Sequence, residues 1–162
     1  MADIVRDADC PVCRSNEGIE RISPGMPIYE GDSWIVEHAY PTYLLGWLVI
    51  VLKRHAEALH DLSREEGEEL GRLQWAVAKT LAAETGCLKE YTIFFAEVPR
   101  FSHVHVHMVP RAPDLEPGLL GGKIFAKLRP EPEEVLSPSE VAAACTRFGR
   151  AVRAELDKVS EA

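Results

Sequence analysis

The sequence predicts an α+β fold: five short segments rich in β-branched and aromatic residues, two well-capped amphipathic helices, and no repeat with a period of 20 to 50 residues. The first three strands are expected at residues 26–30, 33–39 and 46–53, bounded mostly by Gly, Pro or Asp. Glu30-Gly31-Asp32 reads as a tight turn in which Gly31 supplies a positive φ, so these strands should form an antiparallel meander. A helix follows. Ser63 and Glu66 form its capping box, Leu70, Leu73, Val77 and Leu81 make one apolar stripe, and Gly86 ends it. Two further strands are expected at 91–97 and 103–109, completing a five-stranded antiparallel sheet with the helix packed across it. The C-terminal helix opens at Ser137-Pro138-Ser139-Glu140, with Ser at the cap and Pro at the first helical position. Val141, Cys145, Phe148, Val152 and Leu156 share its buried face, whereas Arg147, Arg150 and Arg153 lie largely away from it on a solvated surface.

Residues 110–136 hold five prolines together with Gly118, Gly121 and Gly122, and predict a long loop of the kind that carries function or disorder. Gly118 to Lys123 superficially suggests a phosphate loop. The spacing of its glycines is wrong, however, and Ile124 stands where Ser or Thr is needed.

A chain of 162 residues and 18.0 kDa suits one domain, 1–162. Its 18 Lys and Arg against 26 Asp and Glu leave a formal charge of −8, which argues against a general electrostatic grip on nucleic acid or on an anionic membrane. Any phosphate must meet a local site. The first residues lack the pattern of a signal peptide, and the longest apolar run, near 44–52, is too short for a membrane span, so a cytoplasmic location is expected. In a reducing compartment four cysteines predict no disulfide framework. Cys145 belongs to the core. The Cys10-Pro11-Val12-Cys13 motif reads as a metal site, a redox pair or two incidental thiols.

The segment Ser102-His103-Val104-His105-Val106-His107-Met108-Val109 carries the most chemistry. Side chains alternate across a strand, so His103, His105 and His107 face one side and Val104, Val106 and Met108 the other. A merely solvated face would be served by Thr or Ser, and adjacent imidazoles disfavour one another's protonation.

The run HVHVHMV, followed by Pro110-Arg111, resembles the signature of the histidine triad superfamily of nucleotide hydrolases and transferases, and in particular the fragile-histidine-triad-type hydrolases. The strand from Gly46 into Lys53-Arg54-His55, then Leu59-His60-Asp61-Leu62 and the capped helix, is similar to the family's upstream region. The resemblance covers about residues 8–112 and leaves 113–162 as a C-terminal extension.

That resemblance implies a covalent mechanism in which His105 attacks the α-phosphorus of a nucleotide and His107 hydrogen-bonds the phosphoryl oxygens or the departing group. The attacking imidazole must be neutral, with its other ring nitrogen held by a backbone carbonyl or similar acceptor. His103 would be structural. It also implies a structural zinc held by Cys10, Cys13, His55 and His103, and a homodimer joined edge to edge. Two rivals remain: a nucleotide-binding regulator without turnover, and a hydrolase whose catalytic zinc is held by His103 and His105.

Departures from the pattern concern substrate binding. The family's Gln before the triad is missing from the run 96–102, leaving Ser102 or Arg100 as phosphate donors. Leu45-Gly46-Trp47 replaces a segment that usually ends in His, so a donor is lost and an apolar ring gained. Glu37 is the candidate for the ribose hydroxyls, and Trp47 for stacking on the base. Trp34 and Trp75 are better read as core, and His60 as a surface residue.

Overall fold

The structure, a computed structural model, describes residues 5–128 and 131–160; Arg129 and Pro130 of the long loop and both chain ends lie outside the described residues. Strands β1 (Tyr29–Glu30), β2 (Trp34–His38), β3 (Leu48–Leu52), β4 (Lys89–Ile93) and β5 (His105–Arg111) form one sheet in the order β1-β2-β3-β5-β4. Every pairing is antiparallel. The meander of the first three strands is present as expected.

Helix α2 (Arg64–Thr85) begins and ends where its sequence signals lie. Ser63 Oγ accepts from the Glu66 amide, the Glu66 carboxylate accepts from the Ser63 amide, and Gly86 closes the helix at φ 65°. Its Leu70, Leu73, Val77 and Leu81 pack against Trp34, Val36, Leu48, Ile50, Val104 and Met108 on one face of the sheet. Helix α3 (Pro138–Ser160) adds Val141, Cys145, Phe148 and Val152 to the same core. The extension is thus built into the main core, since an amphipathic helix must bury its stripe somewhere.

Several boundaries differ from the sequence expectation. The first strand is reduced to Tyr29–Glu30, because Met26 is exposed and only Ile28, donating to Val36 O at 2.8 Å, leads into the ladder. The fourth ends at Ile93, since the chain then leaves the sheet through Ala96 and Arg100, both at positive φ. In the fifth, His103 precedes the ladder, and Pro110 is accommodated beyond Met108, the last residue paired with β3. Gly31 is not in the left-handed region. A Cβ there would meet the carboxylate end of Glu69, whose other oxygen accepts from the Ser33 amide, so a larger residue would displace that side chain.

The opposite face of the sheet carries two separate covers. A short helix, α1 (Pro11–Asn16), lies over Val51 through Cys10, Val12 and Cys13. Six residues are too few to show a helical period, and Pro11 at its first turn was the only local signal. The segment expected to be an irregular loop forms short 3-10 turns at Pro117–Leu119, Gly121–Leu128 and Pro132–Glu134. Ile124 is fully buried beside Trp47 and Val109, with Leu119, Phe125 and Leu128 around it.

Candidate functional site: three imidazoles between two covers

The period of two in the strands sends Trp47, Val49 and Val51 of the β3 region to the face opposite α2. Register then sets the site. Val51 pairs with His105 and Ile35, and Val49 pairs with His107 and Glu37, so Glu37 and His107 stand on one cross-strand row with a valine between them. His103, His105 and His107 therefore run along the sheet from α1 to the 117–128 segment.

His103 is fully buried, and its Nε2 lies 2.8 Å from Leu52 O. That contact makes Nε2 the protonated nitrogen and turns the Nδ1 lone pair toward the cysteines. Nδ1 is 3.5 Å from Cys10 Sγ and 3.6 Å from Cys13 Sγ, while His55 Nδ1 is 3.5 Å from Cys13 Sγ. The ligand atoms of Cys10, Cys13, His55 and His103 all lie within 4.8 Å of one another, as a metal site requires. On its far side His55 Nε2 faces Glu57 at 3.6 Å and Asp7 at 3.9 Å. Burial pushes His103 down to about 4 and raises the Cys13 thiol. His105 is not in this group.

His105 Nδ1 lies 2.7 Å from the carbonyl of His103. The ring therefore donates from Nδ1 and keeps a free lone pair on Nε2. Burial lowers its pKa, against the carbonyl contact, and favours the neutral ring. His107 is 5.0 Å from it, ring centre to ring centre, and is pushed down to about 3 by burial and by His105. Both rings line two adjoining cavities. One is walled by Val12 and Asn16 of α1, Glu37 and Val49; the other by Phe95, Val98 and Phe125; Tyr40, Phe101 and Leu128 border both.

The remaining candidates are distributed unevenly. Glu37 reaches the first cavity, but it is buried and its carboxylate is engaged by the Arg21 guanidinium. Burial raises the Glu37 pKa, and Arg21 opposes that shift. Arg100 is exposed and lies instead in another pocket, with Arg14 and Arg21. Ser102 is half-buried and lines neither cavity. Trp47 corrects two expectations. It is fully buried, with no face open to a base, and the donor thought to be lost is present, because its indole N–H reaches His107 Nδ1 at 3.0 Å. Trp34 is buried core, its N–H bonded to Glu66 O at 2.9 Å, whereas Trp75 is 41% exposed on α2. The sequence reading missed Arg21, Tyr40, Phe125 and the α1 wall. None of them carries a motif, and only the Pro11 helix start could have been read in advance.

Among solved structures, a HIT-like protein involved in cell-cycle regulation from Bartonella henselae, with unknown ligand, aligns at a TM-score of 0.69 and 16% identity, covering 91% of this chain and 98% of its own. A Zn-bound histidine triad family protein from Mycobacterium smegmatis aligns at 0.57 and 20%, covering 94% and 96%. A histidine triad protein from Bradyrhizobium japonicum aligns at 0.63 and 19%, covering 78% and 90%. These likenesses establish the fold. No curated protein matches the sequence. The family model described as "Scavenger mRNA decapping enzyme C-term binding" matches residues 12–117, which hold Cys13, His55 and the whole histidine row. By that match and its fold, the chain belongs to this family, within the histidine triad superfamily.

Proposed function

We propose that this protein is a nucleotide hydrolase or nucleotidyl transferase acting at the α-phosphate of a nucleoside phosphate derivative, a dinucleoside polyphosphate or a nucleoside phosphoramidate. The observation that carries the reading is the 2.7 Å contact between His105 Nδ1 and His103 O, which leaves a neutral Nε2 lone pair in a ring that lines both cavities. Nε2 attacks phosphorus as the bond to the leaving group breaks; a departing phosphate leaves as its anion, and a departing nitrogen takes a proton from solvent. Water or another acceptor then displaces the histidine and frees the nucleotide. His107 donates to the phosphoryl oxygens or to the leaving atom, where negative charge develops. Glu37 supports the ribose end and the Arg21 pair orients it. The two cavities meeting at His105 suit a substrate that crosses the reacting phosphorus.

The Cys10, Cys13, His55 and His103 cluster is assigned to a structural zinc. A tetrahedral ion at about 2.3 Å from sulfur and about 2.05 Å from nitrogen separates the two by about 3.6 Å, and the three sulfur–nitrogen distances of 3.5, 3.5 and 3.6 Å agree with it. The donor set is that of a closed site, and the Zn-bound Mycobacterium relative supports the choice of metal. Bound zinc ties α1 to the sheet. A catalytic zinc shared by His103 and His105 is disfavoured, since the free nitrogen of His103 is turned to Cys10 and Cys13 and the donor cluster it joins leaves out His105. Thiolate ligands suit the reducing cytoplasm. We also assign a homodimer through the outer edge of β4, which is flanked by exposed Leu88 and Phe95.

The test is mass detection of a nucleotidyl adduct with a panel of adenosine and guanosine phosphoramidates and diadenosine polyphosphates. Wild type should form the adduct and turn over. His105→Ala should do neither while keeping its circular dichroism and its affinity for a nucleoside monophosphate. Full activity in that variant would end the covalent reading; tight binding without any wild-type turnover would favour the regulator.

A further inference from the structure

Trp47 stands where the chain turns into β3, and three features hold it still. Gly46, at φ 89°, makes the turn, and its amide donates to His38 Nε2 at 3.0 Å. A Cβ at this glycine would also press on Thr85 at 3.1 Å. His38 is itself buried, with Nδ1 2.8 Å from Ala39 O, so its ring is oriented at both nitrogens. Phe125 packs edge-on against both Trp47 and His107, at centroid distances of 5.5 and 5.0 Å. The indole thus has one place to put its N–H, and that place is His107 Nδ1, 3.0 Å away.

An indole N–H only donates. The nitrogen it meets must therefore be an unprotonated acceptor, and in a neutral imidazole the proton then sits on the other nitrogen. We infer that Trp47 is a positioning residue for His107: it locks the ring in the Nε2–H tautomer and so presents a hydrogen-bond donor, rather than a lone pair, to the substrate. His105 is held in the opposite tautomer by the His103 carbonyl. Two neighbouring, chemically identical side chains thereby receive different tasks, nucleophile and donor, from their second nitrogens alone. The kinetic part of this inference rests on the function proposed above; the tautomer assignment does not.

The cleanest probe replaces Trp47 with its benzothienyl isostere, in which sulfur takes the place of N–H at nearly constant shape, beside Trp47→Phe. Two-bond nitrogen–proton correlation spectra of the folded protein should show His107 as a single Nε2–H tautomer in wild type and as a mixture in both variants. Adduct formation from adenosine 5′-phosphoramidate should slow by about tenfold or more, in kcat rather than KM. If Trp47→Phe fails to fold, the isostere with an unchanged melting temperature carries the comparison. An unaltered tautomer in the isostere overturns the inference, as does a tautomer mixture with an unchanged adduct rate. Absence of adduct in wild type would instead refute the function proposed above, and the spectra would still decide the role of Trp47.

Discussion

The backbone carbonyl of His103 lies 2.7 Å from Nδ1 of His105, while the side chain of the same His103 points its Nδ1 at Cys10 and Cys13. One residue therefore belongs to the metal cluster through its ring and orients the neighbouring imidazole through its peptide. Removing the metal should then cost more than stability.

With a strong chelator, or in Cys10→Ser, we expect a large fall in melting temperature, since metal-binding free energy in such sites is largely folding free energy. Adduct formation at His105 should fall with it, below the melting transition, as α1 loosens and withdraws the cavity wall it supplies through Val12 and Asn16. Elemental analysis should give one zinc per chain. Apo protein that is equally stable and equally active would rule the assignment out.

Two buried carboxylates should respond oppositely to neutralisation. Bidentate hydrogen bonds from Arg54, at 2.7 and 2.8 Å, hold Glu66 below its ordinary value of 4.5, against the opposing effect of burial. A depressed pKa means that its stabilisation is complete above pH 4.5 and is lost as pH falls through the lower folded value. Glu66→Gln should cost about 1.5–3 kcal/mol at pH 7 by denaturant titration, and the gap to wild type should close in acid. Glu37 is raised by burial, so its contribution has the other sign, greatest in acid and lost as pH rises through the folded value. Glu37→Gln should leave neutral-pH stability equal or higher while weakening nucleoside monophosphate binding. A loss of stability equal to that of Glu66→Gln would contradict this account.

The 117–128 segment covers the Trp47 and His107 end of the site through Ile124, with Thr42 Oγ1 bonded to Lys127 O at 3.2 Å. Ile124→Ala should cost about 2–5 kcal/mol if the segment unfolds with the core. It should cost much less if the segment opens on its own. Hydrogen exchange distinguishes these: we expect faster exchange in 117–128 with α2 unchanged, and added protection of the same residues when a nucleoside monophosphate binds. Equal exchange with and without nucleotide would leave the segment no role in covering substrate.

Sedimentation at micromolar concentration should give twice the chain mass of 18.0 kDa. Charge placed at the exposed flanks of β4, as Leu88→Glu with Phe95→Glu, should return the monomer. A monomeric wild type would remove the edge-to-edge assembly.

Local and periodic features were legible in the sequence. The capping box at Ser63 and the terminator at Gly86 act within one helical turn, and alternation alone puts His103, His105 and His107 on one face. The CxxC and His55 were legible as a ligand set only through their resemblance to the family pattern. Which nitrogen of each imidazole is free, that Trp47 serves His107 rather than a base, that Arg21 engages Glu37, and that Phe125 closes over the row were decided by tertiary structure. The Trp47 contact joins residues 60 apart, and a hydrogen bond set beside the register of β3 against β5 leaves no periodic trace in either strand; the His105 contact spans only two residues, but alternation does not say which way a ring turns.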